Sequence, residues 1–197
     1  PQADAALREA LSMGIDEAIL ISDRAFAGSD TWATSYTLSQ AIKKVGNFDL
    51  IICGKQASDG DTAQVGPGIS AHLDIPQVTY VKKIEEITES VARVERMTEE
   101  GFEIIQTPLP ALFTVLKEIN EPRLPSLKGM MRAKQAKITH WTAADIDAKA
   151  SFIGLTGSPT QVVKIFTPLP RTGGQMLSGE PSEIAQKIVE LLKGEIG

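Results

Sequence analysis

Cysteine and histidine are nearly missing from this chain: Cys53 is the one thiol, and His72 and His140 are the only imidazoles. A single cysteine excludes an intrachain disulfide and fits a reducing compartment. One thiol and two imidazoles also argue against a zinc site built from protein ligands alone. No apolar run approaches the roughly 18 residues that a membrane-spanning helix needs. Positive charge is in deficit, with 20 basic against 25 acidic residues and a net charge of −5, which argues against a nucleic-acid binder. What remains is an ordinary globular composition, 42% hydrophobic over 197 residues. That is enough chain for one large domain, or for one domain with an extension.

The most informative stretch is 49–80. Leu50, Ile51 and Ile52 form an apolar run of the kind buried in a parallel sheet. Gly54 ends it, and a polar loop follows in which Gly60, Gly66 and Gly68 bracket hydroxyls, amides and carboxylates. A loop of this kind, opening onto a helix, presents backbone N–H groups to phosphate; it also serves as an ordinary strand-to-helix connection. It lacks the Gly-Lys-Ser/Thr ending of a P-loop and has no histidine placed to activate a nucleophile. The stretch is built to hold a nucleotide rather than to hydrolyse one.

The surrounding pattern alternates. A helix is expected over 2–13, with Leu7 and Leu11 on one face, then a buried strand over 18–21. A loop from Asp23 leads to Asp30 as N-cap of a helix ending near Val45. A strand at 49–53, a helix at 64–73 and a strand at 77–81 follow. This order predicts a Rossmann-like α/β fold with a doubly wound, mostly parallel sheet. Such sheets bind ligands at the carboxyl ends of their strands, where Asp23 and the loop after Cys53 both fall. Beyond Lys82 the pattern changes. Ala92 and Val94 alternate with charge, 99–101 reads as a turn, and the segments at 102–105 and 111–116 read as added antiparallel strands. Pro-rich 120–128 runs into a helix at 126–135, and weaker strand signals lie at 137–141 and 162–166. The Pro/Gly arm from Thr167 ends in a helix opened by Pro181, with Ile184, Ile188, Leu191 and Leu192 as its stripe. The expected division is therefore an α/β domain at 1–165 and an arm plus helix at 166–197. That helix either folds back or lies on a partner. Because the chain opens on Pro1 and enters a helix directly, a preceding strand is expected upstream.

The run Cys53-Gly-Lys-Gln-Ala-Ser-Asp-Gly-Asp-Thr-Ala-Gln-Val-Gly-Pro, the later Asn120-Glu-Pro-Arg and the helix beginning Met131-Arg-Ala-Lys resemble the beta subunit of electron transfer flavoproteins. The resemblance covers essentially the whole chain. It implies a heterodimer with an alpha subunit, carrying electrons between dehydrogenases and other redox partners. One FAD is then held mainly by the alpha subunit, and a nucleotide sits in the beta subunit. That nucleotide is AMP in simple carriers and a second FAD in bifurcating members. The spelling of the glycine loop, with Ser22-Asp-Arg-Ala-Phe-Ala-Gly-Ser-Asp-Thr, is similar to the bifurcating type. FAD in this subunit, oxidising NADH and dividing its two electrons, is the leading expectation, with an AMP-only site as the alternative. The family also carries a first strand and helix ahead of Pro1 that complete the pocket, and its bifurcating members imply a prokaryotic cytoplasm.

Carried onto this chain, the resemblance assigns cofactor binding to Asp59, Gly60, Asp61, Thr62, Ala63, Gln64, Val65, Gly66, Pro67 and Gly68, with Thr31 and Thr34 from the neighbouring loop. It assigns docking on an acyl-CoA dehydrogenase to the loop around Leu127, with Arg123 as a second candidate. On the residues alone, Leu127 either anchors a partner or staples its own helix. Lys55 either balances phosphate charge or is solvated. Cys53 reads as a buried strand-end thiol and His72 as a helix-surface residue. No catalytic side chain is expected, since flavin chemistry does not require one. A stand-alone adenine-nucleotide sensor similar to universal stress proteins is the competing function. It would need neither the antiparallel addition nor the arm.

Overall fold

The computed structural model describes residues 3–58, 60–168, 174 and 176–196. The chain divides into two compact units, Pro1–Gln161 and Val162–Gly197. The first opens with α1 (Ala3–Ser12), β1 (Ile19–Ile21), α2 (Thr31–Val45), β2 (Leu50–Gly54) and α3 (Val65–Leu73). It continues with β3 (Gln77–Ile87), β4 (Val91–Met97), β5 (Phe102–Pro108), β6 (Ala111–Val115), α4 (Leu127–Gln135) and β7 (Thr139–Trp141). The second unit holds α5 (Pro181–Ile196).

Five strands form one sheet in the order β2-β6-β3-β4-β5, and β1 pairs with β7 in a separate parallel ladder. β6 runs parallel to both β2 and β3, while β3-β4-β5 is an antiparallel meander. The expected mixed α/β architecture is therefore present. The antiparallel reading holds for β4 and β5 and fails for 111–115. That segment is a central parallel strand inserted between β2 and β3. The physical reason is plain in its burial: Ala111, Leu112 and Phe113 are fully buried and Thr114 is 2% exposed. A strand covered on both faces carries an unbroken apolar run, whereas a half-exposed antiparallel strand alternates. Phe113 and Ala111 pack with Val78, Val81, Ala92 and Val94 to form the main core.

β2 departs from expectation in the opposite way. Its apolar run predicts full burial, yet Ile52 is 57% exposed. β2 stands at the end of the sheet order, with β6 as its one ladder partner among the described residues. A smaller cluster of Leu11, Leu20, Ala133 and Ile138, joined by Leu7, seals α1 and α4 over β1. The stripe of Leu7 and Leu11 read from the sequence is thus the buried face of α1.

One more expectation needs correction. The segment 162–166 forms no strand; Val162, Val163, Ile165 and Phe166 are strongly exposed, and β-propensity without a ladder partner does not make a strand. The Pro/Gly arm read from Thr167 falls partly outside the described residues. In α5 the apolar stripe is real, but Ile188, Leu191 and Leu192 remain about half exposed.

Candidate functional site

The site begins where β2 ends. The Lys55 N–H donates to the Val115 carbonyl at 3.0 Å, carrying the β2–β6 pairing one residue past Gly54. The chain then leaves the sheet and returns as α3. Inside this connection Asp61 and Ala63 take left-handed conformations, with φ of 48° and 54°. Asp is tolerated there because its side chain bonds locally; here its Oδ1 accepts from the Gln56 side-chain amide. Ala63 has no such compensation, so its conformation is imposed by the path of the loop.

α3 starts without a side-chain cap, since Gln64 is itself helical and makes no capping bond. α2 and α4 differ: Asp30 accepts from the Ala33 N–H at 3.0 Å, and Ser126 accepts from the Gly129 N–H at 3.0 Å. An uncapped first turn leaves the N–H groups of Val65 and Gly66, at the positive end of the helix dipole, without a side-chain partner among the described residues. Pro67 has no N–H to satisfy, and the Gly68 N–H donates to the Gln64 carbonyl at 2.9 Å.

The Gln64 side chain is used elsewhere. The Thr31 hydroxyl donates to its Oε1 at 3.0 Å. Thr31 is the first residue of α2, so this bond sets the N-termini of α2 and α3 side by side, and the two helices pack along their lengths. The loop after β1 and the loop after β2 are thereby brought together, although β1 and β2 lie in separate ladders.

Gly66 and Gly68 serve packing. A Cβ on Gly66 would stand 2.5 Å from Thr114 Cγ2, and one on Gly68 would stand 2.5 Å from Ser35 Oγ. Gly66 thus lets the start of α3 touch β6, and Gly68 lets it touch α2. Gly60 has nothing within 4 Å of where a Cβ would stand. Thr62, Gly60 and Asp61 are exposed. Thr34 is half-buried, and its N–H donates to the Asp30 carbonyl at 2.9 Å. Asp59 lies outside the described residues.

The carboxylates around this corner are already satisfied. Burial works against ionising Asp30, but hydrogen bonds from Ala33 and from the Thr160 backbone and hydroxyl outweigh it and hold its carboxyl below the ordinary range. Asp23 is likewise lowered, first by the Ala25 N–H and then by that of Ala143. The segment 154–160 also closes on the loop through Ser158, whose Oγ accepts from the Asp30 N–H at 2.8 Å. This clamp was invisible in the sequence, where 136–160 carries only weak signals; its one cue is a pair of hydroxyls, Ser158 and Thr160, flanking a proline.

Burial pushes the Cys53 thiol up, which suppresses thiolate at neutral pH. His72 is half-buried rather than freely exposed. Its ring lies 4.7 Å from that of Trp32 and 5.7 Å from that of Tyr36, its Nε2 is buried without a partner, and burial, aided by Lys43, lowers its pKa.

Leu127 and Arg123 come from a later part of the chain. Leu127 follows the Ser126 cap as the first residue of α4 and is 77% exposed, so it does not staple its helix. Met131, four residues on, is also exposed on the same face of α4, and Leu124, in the loop before the cap, is exposed as well. Arg123 lines a cavity of about 350 Å³ with Met13, Gly14, Ile15, Asn120 and Pro122.

Among the described residues there is no cluster able to hold a metal ion and no helix long and apolar enough to cross a membrane. The family model for the electron transfer flavoprotein domain matches residues 1–146. The chain is 52% identical over 194 residues to electron transfer flavoprotein subunit beta of Thermoanaerobacterium thermosaccharolyticum, covering 97% of this chain and 73% of that protein. It is 50% identical over 194 residues to the caffeyl-CoA reductase-Etf complex subunit CarD of Acetobacterium woodii, covering 98% and 74%. It is also 50% identical over 179 residues to protein FixA of Azotobacter vinelandii, covering 87% and 63%.

Proposed function

The chain belongs to the electron transfer flavoprotein beta-subunit family, and from that premise we propose that it holds FAD at the β2–α3 corner and works in flavin-based electron bifurcation with an alpha subunit. The observation that carries the reading is the uncapped N-terminus of α3, set beside that of α2 by the Thr31–Gln64 bond. An uncapped helix N-terminus presenting neutral donors suits a phosphate-bearing group, whereas the first turn of α2 is already capped by Asp30. The N–H groups of Val65 and Gly66 would take phosphate oxygens, with the Thr62 hydroxyl as a further donor, while Thr31 serves the site through its bond to Gln64. Asp61 is the acid available for a ribose, and Asp59 is assigned the same role from the family resemblance alone. Gly66 keeps α3 close over the sheet, Gly68 keeps it close to α2, Pro67 enters the first turn with no N–H to satisfy, Gly60 and Ala63 belong to the connecting loop, and Thr34 stands about one turn along α2 from Thr31.

When bound, the flavin supplies the hydride-accepting and electron-dividing chemistry, with NADH as donor. The protein's task at this corner is to bind and orient: fixed N–H groups require no reorganisation when charge arrives. Similarity to a subunit of a caffeyl-CoA reductase-Etf complex supports the bifurcating assignment. The exposed Leu124, Leu127 and Met131 are proposed to dock a flavoprotein dehydrogenase of the acyl-CoA class, with Arg123 at their edge. The arm and α5, with their half-exposed apolar stripe, are proposed to pack on the alpha subunit. The reading implies a prokaryotic cytoplasm.

Cofactor stoichiometry tests the reading. The chain is co-expressed with its alpha subunit, the pure complex is denatured, and released FAD and AMP are quantified by chromatography. Two FAD and no AMP per heterodimer is the expected result. One FAD with one AMP would overturn the bifurcating assignment and leave a simple carrier.

A further inference from the structure

The connection from β1 to α2 is gripped along its length by residues 143–160, which come far later in the chain. The Asp23 carboxylate accepts from the Ala143 N–H at 3.0 Å, and the Ser29 hydroxyl accepts from the Gly154 N–H at 3.0 Å. The Asp30 carboxylate accepts from the Thr160 N–H at 2.9 Å and from its hydroxyl at 2.8 Å. In the other direction the Asp30 N–H donates to Ser158 Oγ at 2.8 Å, and that buried hydroxyl donates to the Gly154 carbonyl at 2.7 Å. The backbones are fitted as well. A Cβ on Gly28 would stand 2.6 Å from Leu155 Cγ, and one on Gly154 would stand 2.5 Å from the Ala25 carbonyl oxygen. Each segment thus carries a glycine where the other comes in.

Asp30 stands at the centre of this joint, and its two oxygens have different uses. Oδ1 accepts from the Ala33 N–H at 3.0 Å and caps α2, while Oδ2 accepts both bonds from Thr160. Serine or threonine would cap as well, so capping accounts for one oxygen and not for the other. The second oxygen ties the start of α2 to the end of the first unit, because Thr160 is two residues short of Val162, where the second unit begins. On the other side of Asp30, Thr31 is bonded to Gln64 at the start of α3. Two direct bonds through adjacent residues therefore lead from the root of the arm to the β2–α3 corner. Neither 27–30 nor 153–160 belongs to a helix or a strand. Each is ordered by the other, so whatever fixes one lowers the entropy cost of fixing its neighbour.

We propose, on the reading of the β2–α3 corner as a nucleotide site, that Asp30 is a positioning residue coupling that corner to the root of the arm. Filling the corner steadies 154–160, from which the arm departs, and seating the arm on its partner steadies the corner in return. Linkage requires the coupling to act equally in both directions.

Hydrogen–deuterium exchange of the purified heterodimer, read by mass spectrometry on peptides of this chain, tests the coupling. The complex dialysed against nucleotide-free buffer is compared with the same complex saturated with FAD. Added FAD should slow exchange at 64–68, and should also slow it at 154–160 by about fivefold or more, the low end of typical coupling. Asp30→Ser keeps an oxygen for the Ala33 N–H and leaves none for Thr160. In that variant the slowing at 64–68 should remain and the slowing at 154–160 should disappear. Thr160→Ser, which keeps both donors, should match wild type. Slowing confined to 64–68 in wild type, or undiminished at 154–160 in Asp30→Ser, would overturn the coupling and leave the cofactor reading intact. No slowing at 64–68 would overturn the cofactor reading, and the coupling with it.

Discussion

Replacing Gly66 with alanine probes the contact that seats α3 on the sheet. The new Cβ would stand 2.5 Å from Thr114 Cγ2, 3.6 Å from Leu112 Cδ2 and 3.7 Å from Cys53 Cβ. Only the first contact is intolerable. Thr114 is 2% exposed, and its Oγ1 is committed to the Tyr80 N–H, so rotating the methyl away sacrifices a buried hydrogen bond. Overpacking of this kind costs about 1–3 kcal/mol. Alanine's better helix propensity returns roughly 0.5–1 kcal/mol, less in a first turn. The expected net loss is about 1–2 kcal/mol, a fall in Tm of roughly 2–8 °C for a chain of this size. Differential scanning fluorimetry of the heterodimer measures it. The decisive arm is Gly66→Ala in a Thr114→Ser background, which deletes the clashing methyl and keeps the hydroxyl. There the loss should largely vanish. An equal loss in both backgrounds would refute the argument that the methyl contact sets the position of α3. Gly60→Ala, with open space at that position, should leave Tm unchanged.

Leu127→Ala should slow electron transfer to the dehydrogenase several-fold while shifting stability by less than about 0.5 kcal/mol, because the side chain is 77% exposed; loss of bound cofactor or of the alpha subunit would count against a docking role. Asp30→Ala removes the cap of α2 and the tie to Thr160 and should cost about 1 kcal/mol in urea titrations at pH 7. The carboxyl's pKa is depressed on folding from its ordinary 3.8, so its stabilising effect is complete above that value and fades as pH falls through the lower folded one. The gap between wild type and Asp30→Ala should therefore narrow as the pH falls below 3.8; a constant gap would sink the assignment.

Local features were legible in the sequence because their causes are local. Asp30 caps α2 as expected, since a short acceptor ahead of an apolar-periodic run has one good use. The face of Leu7 and Leu11 was equally plain. What escaped notice depends on residues far apart in the chain. Nothing near 111–115 says that it will run between β2 and β3; an apolar run of that length fits either kind of strand. The Thr31–Gln64 bond and the closure of Ser158 and Thr160 on Asp30 join segments with no common periodicity. His72 was misread because its packing partners, Trp32 and Tyr36, come from another helix. The left-handed Tyr80 carries no glycine or asparagine to announce it.

The place of β6 sets an order on how the molecule is made. β2 and β3 do not touch as sheet neighbours; each waits for a strand that follows both, and the β4–β5 meander, in the chain. During synthesis the growing chain therefore exposes β2 and β3 with open backbone edges until residue 115 has emerged. Long-range pairings of this kind are slow to form and leave edges available to wrong partners. The meander can close early, since its contacts are local, and so presents a ready docking edge in β3 for the late strand. A nascent chain stalled before Ala111 would hold a finished meander and an unfinished β2–α3 corner, so the segment Ala111–Val115 completes the sheet on which the proposed cofactor site stands.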